Sequence, residues 1–259
     1  MIITLPQLAI FMLVMGRVIG LFLSAPFLDT KQILSPAKIA LVIWLSGLII
    51  FAIPLSAKVP QDAFGFIFAM ITEFLVGIML GFVSNIFLAG IEMAGSLMDT
   101  QAGLSVASVL DPSSGQNAAL LQQWFKWIAM VIFVIVGGDR MLIEAIYKSF
   151  FLIPVGHPVN LSAGAYEIMG LFKNIFLIGV QLSAPILLVV FIVDYAFGIM
   201  NRVAEQINVF QLGFQIKPTV SIFILMTTLP GLVYVMNSIL SQVLVYMMQV
   251  LKALVLKSA

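Results

Sequence analysis

Apolar residues fill this chain in long blocks, and polar residues gather in short joints between them. Six blocks stand out, over about 5–28, 38–56, 63–97, 119–137, 164–200 and 219–255. Residues 39–57, 74–91, 174–193 and 218–251 carry no charge at all. A helix crosses a bilayer with about 20 mostly apolar residues, so the blocks predict membrane-type helices. At about 1.5 Å per residue, the third, fifth and sixth blocks exceed a hydrocarbon core of about 30 Å. They are expected to tilt, kink or project from the bilayer. Pro185 and Pro230 lie inside the last two blocks as candidate kinks. The predicted fold is all-α, built from long helices in hairpins. The last part, about 164–255, separates as one long hairpin whose connector is "NRVAEQINVFQLGFQIKP", residues 201–218.

Composition strengthens this picture. Hydrophobic residues make up 62% of the 259 and charged residues 9%, against roughly 25% charged in soluble proteins. No soluble core of this size buries so much apolar surface. The start, "MIITLPQLAIFML", lacks a basic segment and shows no obvious small-residue cleavage site, which predicts a retained first helix. There is no cysteine, which excludes disulfides and thiolate metal sites. A net charge of +1 gives no footprint for nucleic acid.

The orientation signal is balanced. With six crossings, Lys31, Lys38, Lys126, Arg202 and Lys217 fall on one side, and Lys58, Arg140, Lys148, Lys252 and Lys257 on the other. The positive-inside rule then favours neither orientation. Either one or two local charges orient the chain, or the blocks pack into a larger complex instead of ending as ordinary crossings.

Several charges sit inside the blocks. Arg17 interrupts "FMLVMGRVIGLFL" and Glu73 interrupts "FAMITEFLVGIML". A charge at the bilayer centre costs about 2.5–3.5 kcal/mol on insertion scales, so each should face protein, water or an opposite charge. Arg17 with Glu73 is the expected pair, serving helix or subunit assembly; a proton or ion relay is the functional alternative. Asp194 and Lys173 lie in the fifth block, where Lys173 is expected to snorkel. Gly77 and Gly81 form a GxxxG, which signals close helix approach.

Little else suggests chemistry. His157 is the single histidine, and no HExxH, GxSxG or Walker A pattern occurs. Asp99, Asp111, Asp139 and Asp194 have no spacing that pairs them. The expectation is a non-enzymatic protein without metal or cofactor. One soft stretch stands apart: "MDTQAGLSVASVLDPSSGQNAA", residues 98–119, is polar and turn-rich between apolar flanks. By itself it reads as a connector between the third and fourth blocks.

"MDTQAGLSVASVLDP" resembles the central signature of the FliR export-gate family, whose virulence-system relatives are the SctT proteins. "NRVAEQINVFQLGFQIK" resembles the family's second signature, and "SFFLIPVG", "APF" and the early Arg17 fit as well. The likeness runs in order through essentially the whole chain. It departs from the pattern where Glu205 precedes Gln206, where Gln215 stands in place of a common proline, and at "GGDR", where histidine is frequent.

The resemblance implies a FliP-like part over 1–163 fused to a FliQ-like helical hairpin over 164–259. It implies a helical hetero-oligomer with FliP-like and FliQ-like subunits, wrapped by an FlhB-like subunit. That assembly belongs to a type III secretion system of the bacterial inner membrane, expected in the flagellar basal body, largely on the periplasmic side. It contacts lipid and conducts unfolded protein substrates. The loop at about 98–118 becomes a plug, with Gly103, Leu104, Val106, Val109, Leu110, Asp111 and Pro112 as its candidate residues. Arg202, Gln206, Asn208 and Lys217 are expected in one polar turn that touches a partner. The alternative function is an ion-coupled small-solute transporter acting alone, which would want broken helices and an inverted repeat; no such symmetry is visible.

Overall fold

The computed structural model describes residues 5–26, 34–52, 60, 62–104, 119–204, 206 and 208–255. Eight helices and no strand occur among the described residues. They are α1 (Leu5–Ser24), α2 (Ser35–Ala52), α3 (Ala63–Ala102), α4 (Leu120–Ile135), α5 (Gly138–Leu152), α6 (Leu161–Val203), α7 (Val209–Leu240) and α8 (Val243–Leu254). The fold is all-α, as the apolar blocks predict. Among the described residues, four stretches are long and apolar enough to cross a membrane: Gln7–Ser24, Ala63–Ala102, Leu161–Val203 and Gln211–Leu254.

Three boundaries differ from the sequence pattern. Helix α5 lies where no apolar block is visible, because Asp139, Arg140, Glu144 and Lys148 interrupt the run. Helix α7 begins at Val209, so most of the expected connector is helical and Lys217 sits on α7 rather than in the turn. The sixth block is two helices, α7 and α8, with a joint at 241–242. Helix α6 passes through Pro185, and α7 passes through Pro218 and Pro230.

The chain divides into two compact units, each discontinuous in sequence. The first contains Met1–Ile86, Gly137–Phe172 and Ser241–Ala259; the second contains Phe87–Val136 and Lys173–Leu240.

In the first unit α1 packs on α2 and α5, and α5 packs on α8. Leu13, Val14, Val18 and Leu21 of α1 are buried, as are Val76, Leu80 and Val83 of α3. Glycines set the spacing between α1 and α3. A β-carbon on Gly77 would strike the Arg17 carbonyl and crowd the Leu21 amide. One on Gly20 would strike the Phe74 carbonyl, and one on Gly81 would crowd Leu21 and Ala25. Contacts climb both helices together, so α1 and α3 run parallel. Their backbones touch because neither side carries a side chain at the crossing. Gly77→Ala must push the helices apart, and overpacking of this kind costs about 1–3 kcal/mol. We expect a lower yield of folded protein in detergent and a lower melting temperature; an unchanged melting temperature would show that the crossing yields easily.

In the second unit the end of α3 and the start of α4 form an antiparallel hairpin. Gly95 meets Leu121 and Gln122 at backbone distance. One turn further from the hairpin's end, Lys126 Nζ lies 3.1 Å from Glu92 Oε1. Helix α4 also packs on α7.

Candidate functional site

Arg17 is fully buried and Glu73 is 3% exposed. Helix α1 places Arg17 beside the glycine crossing, and α3 places Glu73 one turn before Gly77. Arg17 Nε donates to Glu73 Oε2 at 2.6 Å, and Arg17 Nη2 lies 2.5 Å from the same oxygen. Arg17 Nη1 donates to Ser149 Oγ at 2.9 Å, and Nη2 donates to the Ile153 carbonyl at 3.1 Å. The guanidinium also lies over the Phe150 ring, 4.2 Å from its centroid, a cation–π contact. The other carboxylate oxygen, Glu73 Oε1, accepts the Gly156 N–H at 3.0 Å. A buried pair is stable only when further hydrogen bonds satisfy its remaining donors and acceptors, and here they do.

These partners come from one stretch. Ser149, Phe150, Ile153 and Gly156 all belong to "SFFLIPVG", the end of α5 and the turn that follows. Gly156 has φ +76°, a conformation that a side chain disfavours, and this turn aims its N–H at Glu73. The sequence gives no signal that the segment meets Arg17; its role appears only when α5 is laid against α1. The arrangement ties α1, α3, α5 and the following turn together at one point, with both carboxylate oxygens occupied.

A second buried carboxylate organises the α3–α4 hairpin. Asp99 is 1% exposed. Its Oδ1 accepts the Leu121 N–H at 3.0 Å and its Oδ2 accepts the Gln122 N–H at 2.9 Å. Hydrogen bonds to a charged acceptor contribute about 1.5–3 kcal/mol. The start of α4 otherwise lacks a cap, because Ala119 offers no side-chain acceptor. Helix α3 ends in a Schellman turn: Leu104 N donates to the Asp99 carbonyl at 3.1 Å, and Gly103 N to the Thr100 carbonyl at 3.3 Å. Gly103 has φ +75°, so its glycine closes the helix. Leu104 follows it. The other candidate loop residues, Val106, Val109, Leu110, Asp111 and Pro112, lie outside the described residues.

The remaining candidates lie on α6, on α7 and in the turn between them. Asp194 lies in the second unit and pairs with Lys217, Nζ to Oδ1 at 2.5 Å. Arg202 occupies the last turn of α6, where a cation opposes the helix dipole favourably. Gln206 is exposed in the turn. Asn208 caps α7, its Oδ1 accepting the Gln211 N–H at 3.2 Å. Among the described residues no three His, Asp or Glu side chains come together to hold a metal ion.

Residues 8–243 match the family described as bacterial export proteins, family 1. The flagellar biosynthetic protein FliR of Bacillus subtilis (strain 168) is 30% identical over 234 residues, covering 89% of this chain and 90% of its own. FliR of Escherichia coli (strain K12) is 29% identical over 218 residues, covering 83% of this chain and 82% of its own. The surface presentation of antigens protein SpaR of Shigella flexneri is 28% identical over 215 residues, covering 81% and 80%. A match of this extent, on an all-α chain with four membrane-length apolar stretches, makes the chain a member of the FliR family of bacterial export proteins.

Proposed function

We propose that this chain is a core subunit of the protein-conducting export gate of a bacterial type III secretion system, the flagellar one, in the inner membrane. The observation that carries the reading is the family match across 8–243, shared with relatives named for flagellar biosynthesis. The gate assembles from this chain with FliP-like and FliQ-like subunits and an FlhB-like subunit around it. It passes unfolded protein and performs no catalysis itself. Residues 1–163 take the FliP-like part and 164–259 the FliQ-like hairpin. The assembled gate lies largely on the periplasmic side. The exposed apolar side chains of α6 and α7, among them Tyr166, Phe176, Leu188, Phe191, Phe223 and Tyr234, favour burial against neighbouring subunits and lipid. The segment between α3 and α4 plugs the lumen while the gate is idle.

Purification tests the reading. The tagged chain should co-purify with the other gate subunits as a large hetero-oligomer. A monomer that binds a small solute tightly would replace this reading with the transporter. The α6–α7 turn gives a finer test. Photocrosslinking residues at Gln206 and Asn208, both exposed, should capture another gate subunit. Adducts with lipid alone would count against a partner-contacting turn.

A further inference from the structure

We propose that Asp99 is a positioning residue that fixes where the α3–α4 connection leaves and returns. One residue holds both ends. Its carbonyl accepts the Leu104 N–H as α3 ends, and its carboxylate accepts the Leu121 and Gln122 N–H groups as α4 begins. The bonds to α4 span 22 and 23 positions of sequence.

An ordinary N-cap is local. It accepts the same two N–H groups of the first turn from the residue just before the helix. Here that residue is Ala119, which contributes no side-chain bond. The acceptor is supplied instead from the neighbouring helix, so satisfying α4's first turn also fastens α4 to α3. Gly95, one turn earlier on the same face of α3, removes the side chain that would hold the two backbones apart. The carboxylate is buried, with each oxygen committed to one N–H donor. Neither α3 nor α4 can shift along the other at this end without breaking both bonds. The segment between them is therefore presented from a fixed base. This holds for the hairpin whatever the segment does; that the base matters for sealing rests on the export-gate reading.

The experiment separates a tether from a plain cap. The chain has no cysteine, so spin labels at Gln101→Cys and Gln123→Cys report the base alone; both positions are exposed. Distances are measured by double electron–electron resonance in the purified export complex. The parent should give one narrow distribution. Asp99→Ala should lengthen and broaden it. Asp99→Ala combined with Ala119→Asp restores a local acceptor for the same N–H groups, yet should leave the distribution broad. Full narrowing by Ala119→Asp would mean that Asp99 is only a helix cap, and the proposal fails. An unchanged distribution in Asp99→Ala overturns it too. If Asp99→Ala gives no complex, Asp99→Leu carries the test: it keeps the side chain's branched shape and removes both acceptor oxygens, and a distribution as narrow as the parent's would refute the tether. Ion leak through the same complexes is the second measurement. A widened base with raised leak supports both the tether and the plug. A widened base without leak keeps the tether and overturns the plug.

Discussion

Glu73→Ala should abolish recovery of the assembled complex, and secretion with it. The substitution leaves a guanidinium fully buried with only the Ser149 hydroxyl and the Ile153 carbonyl as oxygen partners. Removing one member of a buried pair costs about 3–5 kcal/mol, a large share of the roughly 5–15 kcal/mol that holds a folded domain together. Arg17→Ala should do nearly as much damage, because Glu73 then keeps its charge with the Gly156 N–H alone. The double variant Arg17→Met with Glu73→Met decides what the pair is for. It removes both charges and roughly keeps the volume, so it should cost less than the two single losses added together. The recovery should be partial, since Gly156 N–H and the Ile153 carbonyl lose their partners. If the pair only joins helices, secretion should return in step with complex yield. Complex without secretion would favour a relay through the pair. A double variant that loses as much as the two single losses added together would show that the two residues do not act as a unit.

The helical class was visible because charge is absent over such long runs. Arg17 and Glu73 were visible as charges that apolar surroundings must neutralise. The rest of their site was not, since hydrogen bonds from Ser149 and the Ile153 carbonyl depend on where α5 docks. Helix α5 itself did leave a trace. Leu142, Ala145, Ile146, Ser149 and Phe150 are buried at the i, i+3, i+4, i+7, i+8 spacing of an amphipathic helix. Its outer face carries Asp139, Arg140, Glu144 and Lys148, so no uncharged run marks it. The charges that hide it include an i, i+4 pair, Glu144 with Lys148 at 2.6 Å, which sits on its outer face.

The turn between α6 and α7 misled for another reason. Polar Gln211, Gln215 and Lys217 followed by Pro218 read as a loop, because proline removes a helix hydrogen bond. The helix nevertheless starts at Val209, capped by the Asn208 side chain, and Lys217 finds Asp194. Asp99 was visible only as an acid without a partner. Its partners are backbone N–H groups, which no pattern of side chains reveals. Gly103, inside the stretch that reads as a connector, has a positive φ that marks the end of α3.

Replacing residues 105–116 with a few glycines should leave assembly near normal and make the gate leak ions. The segment holds Ser105, Ser108, Ser113, Ser114 and Gly115 around an Asp111-Pro112 step. Small side chains contribute little to packing between long helices. The step also resists continuation of a helix, because proline biases the residue before it away from helical backbone. The anchors of the hairpin lie outside the replaced stretch. Gly103 and Leu104 finish α3, and Asp99 holds Leu121 and Gln122. With both ends fastened at one residue, Asp99, a short glycine bridge closes the gap without pulling α4 away. The apolar residues Val106, Val109 and Leu110 are the ones suited to a seal, since apolar constrictions exclude water where serines do not. Changing these three to serine should therefore reproduce the leak of the shortened protein. Leu104→Ser is the companion control, because Leu104 caps α3 through its backbone N–H, which serine keeps, so the hairpin should stay intact. Conductance of the purified complex in a planar bilayer, and growth of cells in high salt, read the leak directly. A shortened protein that assembles yet conducts no more than the parent would reduce the segment to a connector and remove the plug from the proposed function.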